Sequence, residues 1–184
     1  MARRASGPKP VVEPLHGRDA SIEEPLDFLR GNTYRQRQVG VVLESFTEGE
    51  APADEIIAAC EFLSIELPLH MFDVSDDVVP LLISRCKQSD NITPVVEEIA
   101  ELQRFAKSNA TKCINALMTQ IERMSGKKPT EAVKRRVLEL LTTLRRLSAI
   151  ENGIILPLAR VRLTDEDIAE LSKQMQKRRG LTPD

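Results

Sequence analysis

The chain has 184 residues, with 26 Lys and Arg against 28 Asp and Glu for a formal net charge of −2, a length that fits one domain with a sizeable core and a charge that supplies no global field for nucleic acid. Aromatic residues are 3% of the chain, with no Trp and one Tyr, which argues against a β-sandwich and against a base-stacking RNA module. No run of about 18 apolar residues is present, so no membrane-spanning helix is expected, and three cysteines without CxxC spacing form no disulfide framework and point to a reducing cytoplasm.

Residues 1–21 are rich in Pro, Gly, Arg and Lys and read as a flexible, disordered N-terminal arm, made basic by Arg3, Arg4 and Lys9. No apolar run follows these charges, so the segment does not read as a secretory signal. It is either a solvated tail or a tether to an acidic partner or nucleic acid. The first helix is expected from near Ser21, where Ser21-Ile22-Glu23-Glu24 spells a capping box. Leu26, Leu29, then Val39, Val42, Leu43 and Phe46 give a broken helical stripe that ends in the turn residues of Thr47 to Pro52.

The second helix starts near Ala53, with Ile56, Cys60, Leu63 and Leu67 on one face. Pro68 is expected to kink it, and Pro80 to disturb it again, before a loop at Gln88 to Asn91. The third helix opens at Thr93-Pro94 with Glu97 and Glu98 at its positive end. Ala106, Ala110, Cys113, Leu117 and Ile121 form its stripe, and Ser125 to Pro129 makes a turn into the fourth helix. That helix runs from about Thr130 on a face of Val133, Val137, Leu140, Leu141, Leu144, Leu147 and Ile150. Thr164 then caps a short fifth helix, whose end carries Lys177, Arg178, Arg179 and Gly180, cations and a glycine suited to a helix C-terminus. Four long amphipathic helices with short turns give an all-α expectation: an antiparallel four-helix bundle over residues 22–180, with the short C-terminal helix added.

Three segments carry a resemblance. Glu24-Pro25-Leu26-Asp27-Phe28-Leu29-Arg30 with Arg35-Gln36-Arg37, Glu66-Leu67-Pro68-Leu69-His70 with Val79-Pro80-Leu81-Leu82, and Glu151-Asn152-Gly153-Ile154-Ile155-Leu156-Pro157-Leu158-Ala159-Arg160 resemble the first, second and fourth helices of hemerythrin-like (HHE cation-binding) domains, over roughly residues 23–179. The resemblance implies a bundle whose interior holds a di-iron centre on histidines and carboxylates from all four helices. At the matching positions this chain has Thr33 for a histidine, Val74 for a carboxylate and Leu147 for a histidine, and no histidine lies between Asn91 and Ser125. His70 and Glu151 alone are kept as remnant candidates, while Asp73, Asp76 and Asp77 would need a shift of register to point inward. His70 reads either as a polar residue held by a flanking carboxylate, Glu66 or Asp73, or as a remnant ligand.

No resident metal and no cofactor are therefore expected. Cys60 is too far from His70 in sequence to read as a nucleophile–base pair, and no phosphate-binding glycine loop is present. Cys60 and Cys113 sit at core positions. Cys86 lies beside Arg85 and Lys87, cations that lower a thiol pKa, so it is the first candidate for oxidation or an intermolecular disulfide. Lys127 with Lys128, Arg135 with Arg136 and Arg145 with Arg146 form either a solvated rim or a docking surface for an acidic partner. With no helix-turn-helix pattern they do not suggest direct nucleic-acid reading. The expected function is a non-enzymatic, cytoplasmic regulatory protein acting by protein–protein interaction with another cytoplasmic protein or as a homodimer, in its more specific form responsive to thiol oxidation. The alternative is an iron or oxygen sensor with a reduced site around His70 and Glu151.

Overall fold

The structure, a computed structural model, describes residues 22–123 and 128–181. It is helical throughout, with no strand among the described residues. We label the helices α1 (Pro25–Glu48), α2 (residues 53–85), α3 (Thr93–Arg123), α4 (residues 131–162) and α5 (Asp165–Arg178). α1 packs against α2 and α4, α2 against α3, and α3 against α4, while α5 lies on α1 and on the 73–78 stretch of α2. One apolar cluster runs through all five, from Leu29 and Leu43 through Leu63, Ile99 and Leu140 to Leu171. No described helix is long and apolar enough to cross a membrane.

The helix ends follow local chemistry. α1 begins at Pro25, with Glu24 before it making no side-chain cap bond. Proline suits the first position because its missing N–H would be unpaired there anyway. Ser21, the expected cap, and the arm of residues 1–21 lie outside the described residues. α1 closes at Gly49, whose φ is 80°. The Gly49 N–H bonds the Phe46 carbonyl and the Glu50 N–H bonds the Ser45 carbonyl, both at 2.9 Å, which satisfies carbonyls that a helix end leaves bare. Thr164 caps α5 as expected, with Asp167 completing a capping box, and Thr130, where the fourth helix was expected to start, caps α4.

The prolines mark the irregular points of the long helices. Pro68 and Pro80 disturb α2 without ending it, as expected, and Pro157 does the same in α4. Each is preceded by a wide π-helical turn: Phe62–Glu66, Asp73–Val78 and Glu151–Ile155. The residue just before each proline donates five residues back, Leu67 to Phe62, Val79 to Val74 and Leu156 to Glu151. A proline inside a helix has no N–H and crowds the carbonyl four residues behind it. The wide turn moves the preceding bond to a longer ring and lets the helix pass the proline unbroken. All three sites share the pattern Leu/Val-Pro-Leu.

Candidate functional site

The wide turns frame a buried polar layer. His70 sits between the two turns of α2, and Glu151 opens the turn of α4. Their side chains meet, His70 Nε2 to Glu151 Oε2, at 2.8 Å, with only 4% and 3% of each side chain exposed. The carboxylate that holds His70 is thus across the interior on α4. It is neither Glu66 nor Asp73, the sequence neighbours expected to do so. Burial disfavours a charged imidazole, but the charge of Glu151, its hydrogen bond and the charge of Asp73 outweigh this against an opposing Arg179, and the His70 pKa is raised. Among the described residues, Nδ1 of His70 has no hydrogen-bond partner.

Around this pair α1 and α4 exchange neutral hydrogen bonds. Gln36 Nε2 donates to the Leu144 carbonyl at 2.9 Å and to Ser148 Oγ at 2.7 Å. Asn152 Nδ2 donates to Thr33 Oγ1 at 3.0 Å and to the Ser148 carbonyl at 2.8 Å. Gln103 of α3 donates to the Met71 carbonyl at 3.3 Å, beside the turn that begins at Asp73. The break in the α1 stripe between Leu29 and Val39 is the sequence signal for this layer: Asn32, Thr33 and Gln36, all buried, fill the gap at helical spacing.

A second charged cluster lies where α5 crosses α2. Asp73 is fully enclosed, although the sequence suggested that it needed a register shift to turn inward. A wide turn begins at this residue and α5 covers it. Arg178 and Arg179 both bond Asp73, and Arg178 also makes a bidentate pair with Asp77 at 2.6 and 2.9 Å. Arg179 also lies over the Phe28 ring at 4.8 Å. The two arginines therefore clasp α5 onto α2 and do not serve as free cations at a helix C-terminus.

Among the described residues, no three His, Cys, Asp or Glu come together to hold a metal ion. Val74 and Leu147, which stand where the resemblance placed ligands, are buried at 1% and 2% exposure in the apolar cluster. Of the remnant candidates, His70 and Glu151 are brought together, Asp73 is engaged by arginines, and Asp76 is exposed.

The thiols separate clearly. Cys60 and Cys113 are buried, and burial pushes their pKa values up to about 11 and about 12. Cys86 is half-buried. Its neighbouring cations do not activate it: Arg85 is paired with Asp167 and Arg162 with Asp90. Partial burial and the Asp90 charge raise its pKa, contrary to the expected lowering. Three of the four arginines in the α4 pairs are also engaged. Arg145 bonds Glu44 of α1, Arg146 bonds Glu98 of α3 at 2.7 Å, and Arg135 reaches Glu139 at 3.9 Å. Residues 124–127, including Lys127, lie outside the described residues.

A scan against protein-family models finds no match, and searches of curated proteins and of solved structures find none either.

Proposed function

We propose that this chain is an antiparallel, hemerythrin-like four-helix bundle that has exchanged its metal centre for a buried polar layer, and that it works in the cytoplasm as a non-enzymatic regulatory protein through protein–protein contacts. The observation that carries the reading is the pairing of the two kept ligand residues with each other: His70 bonds Glu151 at 2.8 Å inside the fold. The residues present do not fit a di-iron centre. Thr33 is bonded to Asn152, and Val74 and Leu147 are packed in the core. A di-iron site needs several imidazoles and carboxylates converging on one point, each oriented by a further partner.

The test is metal content by elemental analysis, with an absorption spectrum, on protein produced with iron supplied. Less than about a tenth of an equivalent of iron, zinc or manganese per chain supports the reading. Full occupancy lost in His70→Ala overturns it. Affinity capture with the full chain then asks for a saturable partner, and finding none counts against the regulatory role.

The thiol-responsive form of this reading rests on Cys86, the least buried of the three cysteines. Two Cys86 thiols from two chains would join as a disulfide while hydrogen peroxide is reduced to two waters, two protons and two electrons leaving the thiols. A monomer band on a non-reducing gel after mild peroxide rejects it, as does a dimer that persists in Cys86→Ser.

A second reading is favoured by the bare Nδ1 of His70, a buried nitrogen without a partner. It is a metal-sensing chain with a reduced site on His70 and Glu151. The same elemental analysis separates it from the first reading.

A further inference from the structure

The groove between α3 and α4 is lined by cations and neutral polar groups, without a carboxylate. Its volume is about 450 Å³. Lys112, Asn115, Thr119 and Gln120 line it from α3, at a spacing that puts them on one helix face. Thr130 and Arg136 line it from α4. Lys112 and Arg136 are exposed, and neither makes an ion pair among the described residues. The carboxylates of this part of α4 lie in a different groove. Glu131 and Glu139 face α1 with Lys134 and Arg135, to which they are paired.

Unpaired charge by itself does not mark a site, and Arg37 is also without an ion pair. Arg37 shares its groove with Glu44, however, and Lys107 in the α2–α3 groove is spent over the Phe72 ring. Lys112 and Arg136 are two cations on one cavity. Two contacts fix the antiparallel register of their helices. Gln120 Nε2 reaches the Lys128 carbonyl at 3.5 Å, and Arg146 bonds Glu98 at 2.7 Å. Between these points Lys112 falls within a turn of Arg136. The thiol of Cys113, the next residue, feels the Arg136 charge. The cations therefore stand at one end of the groove. Thr119, Gln120 and Thr130 stand at the other, about 10 Å further along the helices.

We infer that this groove binds a sugar phosphate, with the phosphate between Lys112 and Arg136 and the sugar hydroxyls toward Thr119, Gln120 and Thr130. A phosphate monoester near neutral pH carries almost two negative charges and three acceptor oxygens. The ammonium supplies a point charge, and the guanidinium supplies parallel N–H donors that fit an oxyanion. Hydroxyl and amide side chains both donate and accept, as sugar hydroxyls do. Ala116 and Val133 give the carbon face of the sugar a small apolar wall. A nucleobase would call for an aromatic ring to stack on, and none lines this groove. The volume is in the range of small-molecule sites. The inference goes beyond the protein-contact reading: it gives the chain a small phosphorylated effector, and it does not depend on the fate of the metal centre.

The experiment is a two-dimensional amide NMR titration of the full chain at about pH 7.5 and about 50 mM salt, with ribose 5-phosphate, ribose and inorganic phosphate as separate probes. Ribose 5-phosphate is expected to saturate with a Kd of about 1 mM or tighter, its shifts gathered at residues 112–120 and 130–136. Inorganic phosphate is expected to bind at least about threefold more weakly, and ribose not to bind. Lys112→Gln and Arg136→Gln are each expected to weaken ribose 5-phosphate at least about fivefold. Both side chains are exposed, so the rest of the amide spectrum should stay unchanged. If either variant loses helix, Arg136→Lys takes its place. It keeps the charge, loses the guanidinium fork and should weaken binding about threefold. Four results overturn the site: no saturable shift up to about 20 mM, shifts spread over distant cations such as Arg37, unchanged affinity in the variants, or ribose 5-phosphate binding no tighter than inorganic phosphate. Each of them leaves the protein-contact reading standing.

Discussion

His70 Nε2 and Glu151 Oε2 join α2 to α4 at 2.8 Å, at the point where the wide turn of α4 begins. The His70 pKa in the folded chain is raised above 6.5, despite burial, by Glu151 and Asp73. A raised histidine pKa contributes stability that is fully present below the unfolded value and is lost as pH rises through the folded value. Glu151→Gln is therefore expected to destabilise by about 3 kcal/mol near pH 6 and by less at pH 9. Urea unfolding at both pH values checks this. An NMR titration placing the His70 midpoint below 6.5 would rule it out.

Asp73 should be among the costliest single carboxylates to remove. It is fully enclosed and bonded to both Arg178 and Arg179. Asp73→Ala leaves two guanidinium groups facing a gap and is expected to cost about 3 kcal/mol. Amide exchange should rise first along α5, which the clasp fastens. Equal protection of α5 in the variant and the wild type would contradict this.

The acid limb of stability should carry the signature of Asp167. The Arg85 guanidinium and the Thr164 N–H hold its carboxyl down at about 2. A depressed carboxyl contributes stability above the unfolded value of 3.8 that is lost as pH falls toward 2. Asp167→Asn is expected to lower the melting temperature at pH 5 and to converge with wild type near pH 2. Because the side chain also caps α5, the deficit at pH 5 should be about 1 kcal/mol.

Two glycines give opposite outcomes. At Gly40, inside α1, an added Cβ would meet Leu141 Cδ2 at 3.7 Å, an ordinary contact. Gly40→Ala is expected to stabilise by about 0.5–1 kcal/mol through helix propensity. At Gly49 the backbone is left-handed and a Cβ would come within 3.3 Å of Lys128 Cγ. Gly49→Ala is expected to cost about 1 kcal/mol or more. Thermal melts of the two variants should move in opposite directions.

Thiol reagents should find one cysteine in the native state. Cys86 is half-buried, whereas Cys60 and Cys113 are buried with pKa values near 11 and 12. One equivalent of an aromatic disulfide reagent is expected to react at pH 8, more slowly than a free thiol because the Cys86 pKa is raised. Denaturant should release the other two. Fast labelling of two or three thiols in the native chain would contradict the burial.

The helices and most of their apolar faces were legible because helical spacing and capping residues are local signals. Thr164 caps where the sequence places it, the fourth helix starts just after Thr130, and Cys60, Cys113, Val137 and Leu140 are core. What was not legible depends on partners far along the chain. His70 has carboxylates at the right helical spacing on both sides, yet it is bound by one 81 residues away. Asp73 is buried by a helix about a hundred residues later. Cys86 has cations on both sides in sequence, but ion pairing neutralises Arg85 and Asp90 supplies the opposite charge. The wide turns were not legible because a single proline reads as a kink, whereas the repeated Leu/Val-Pro-Leu pattern marks a helix that accommodates it.

Those three turns also fix how the gene can change. Each takes up one residue more than a regular turn, so deleting a residue such as Ser64 would return local bonding to the usual ring and leave the helix beyond it near its present phase. His70 would still face Glu151, but Pro68 would then stand in a regular helix at a cost of about 3 kcal/mol. Replacing the proline in the same step would remove that cost. At these three places length is therefore tied to the proline that follows, so a one-residue deletion within residues 62–66, 73–78 or 151–155 should be found together with loss of that proline.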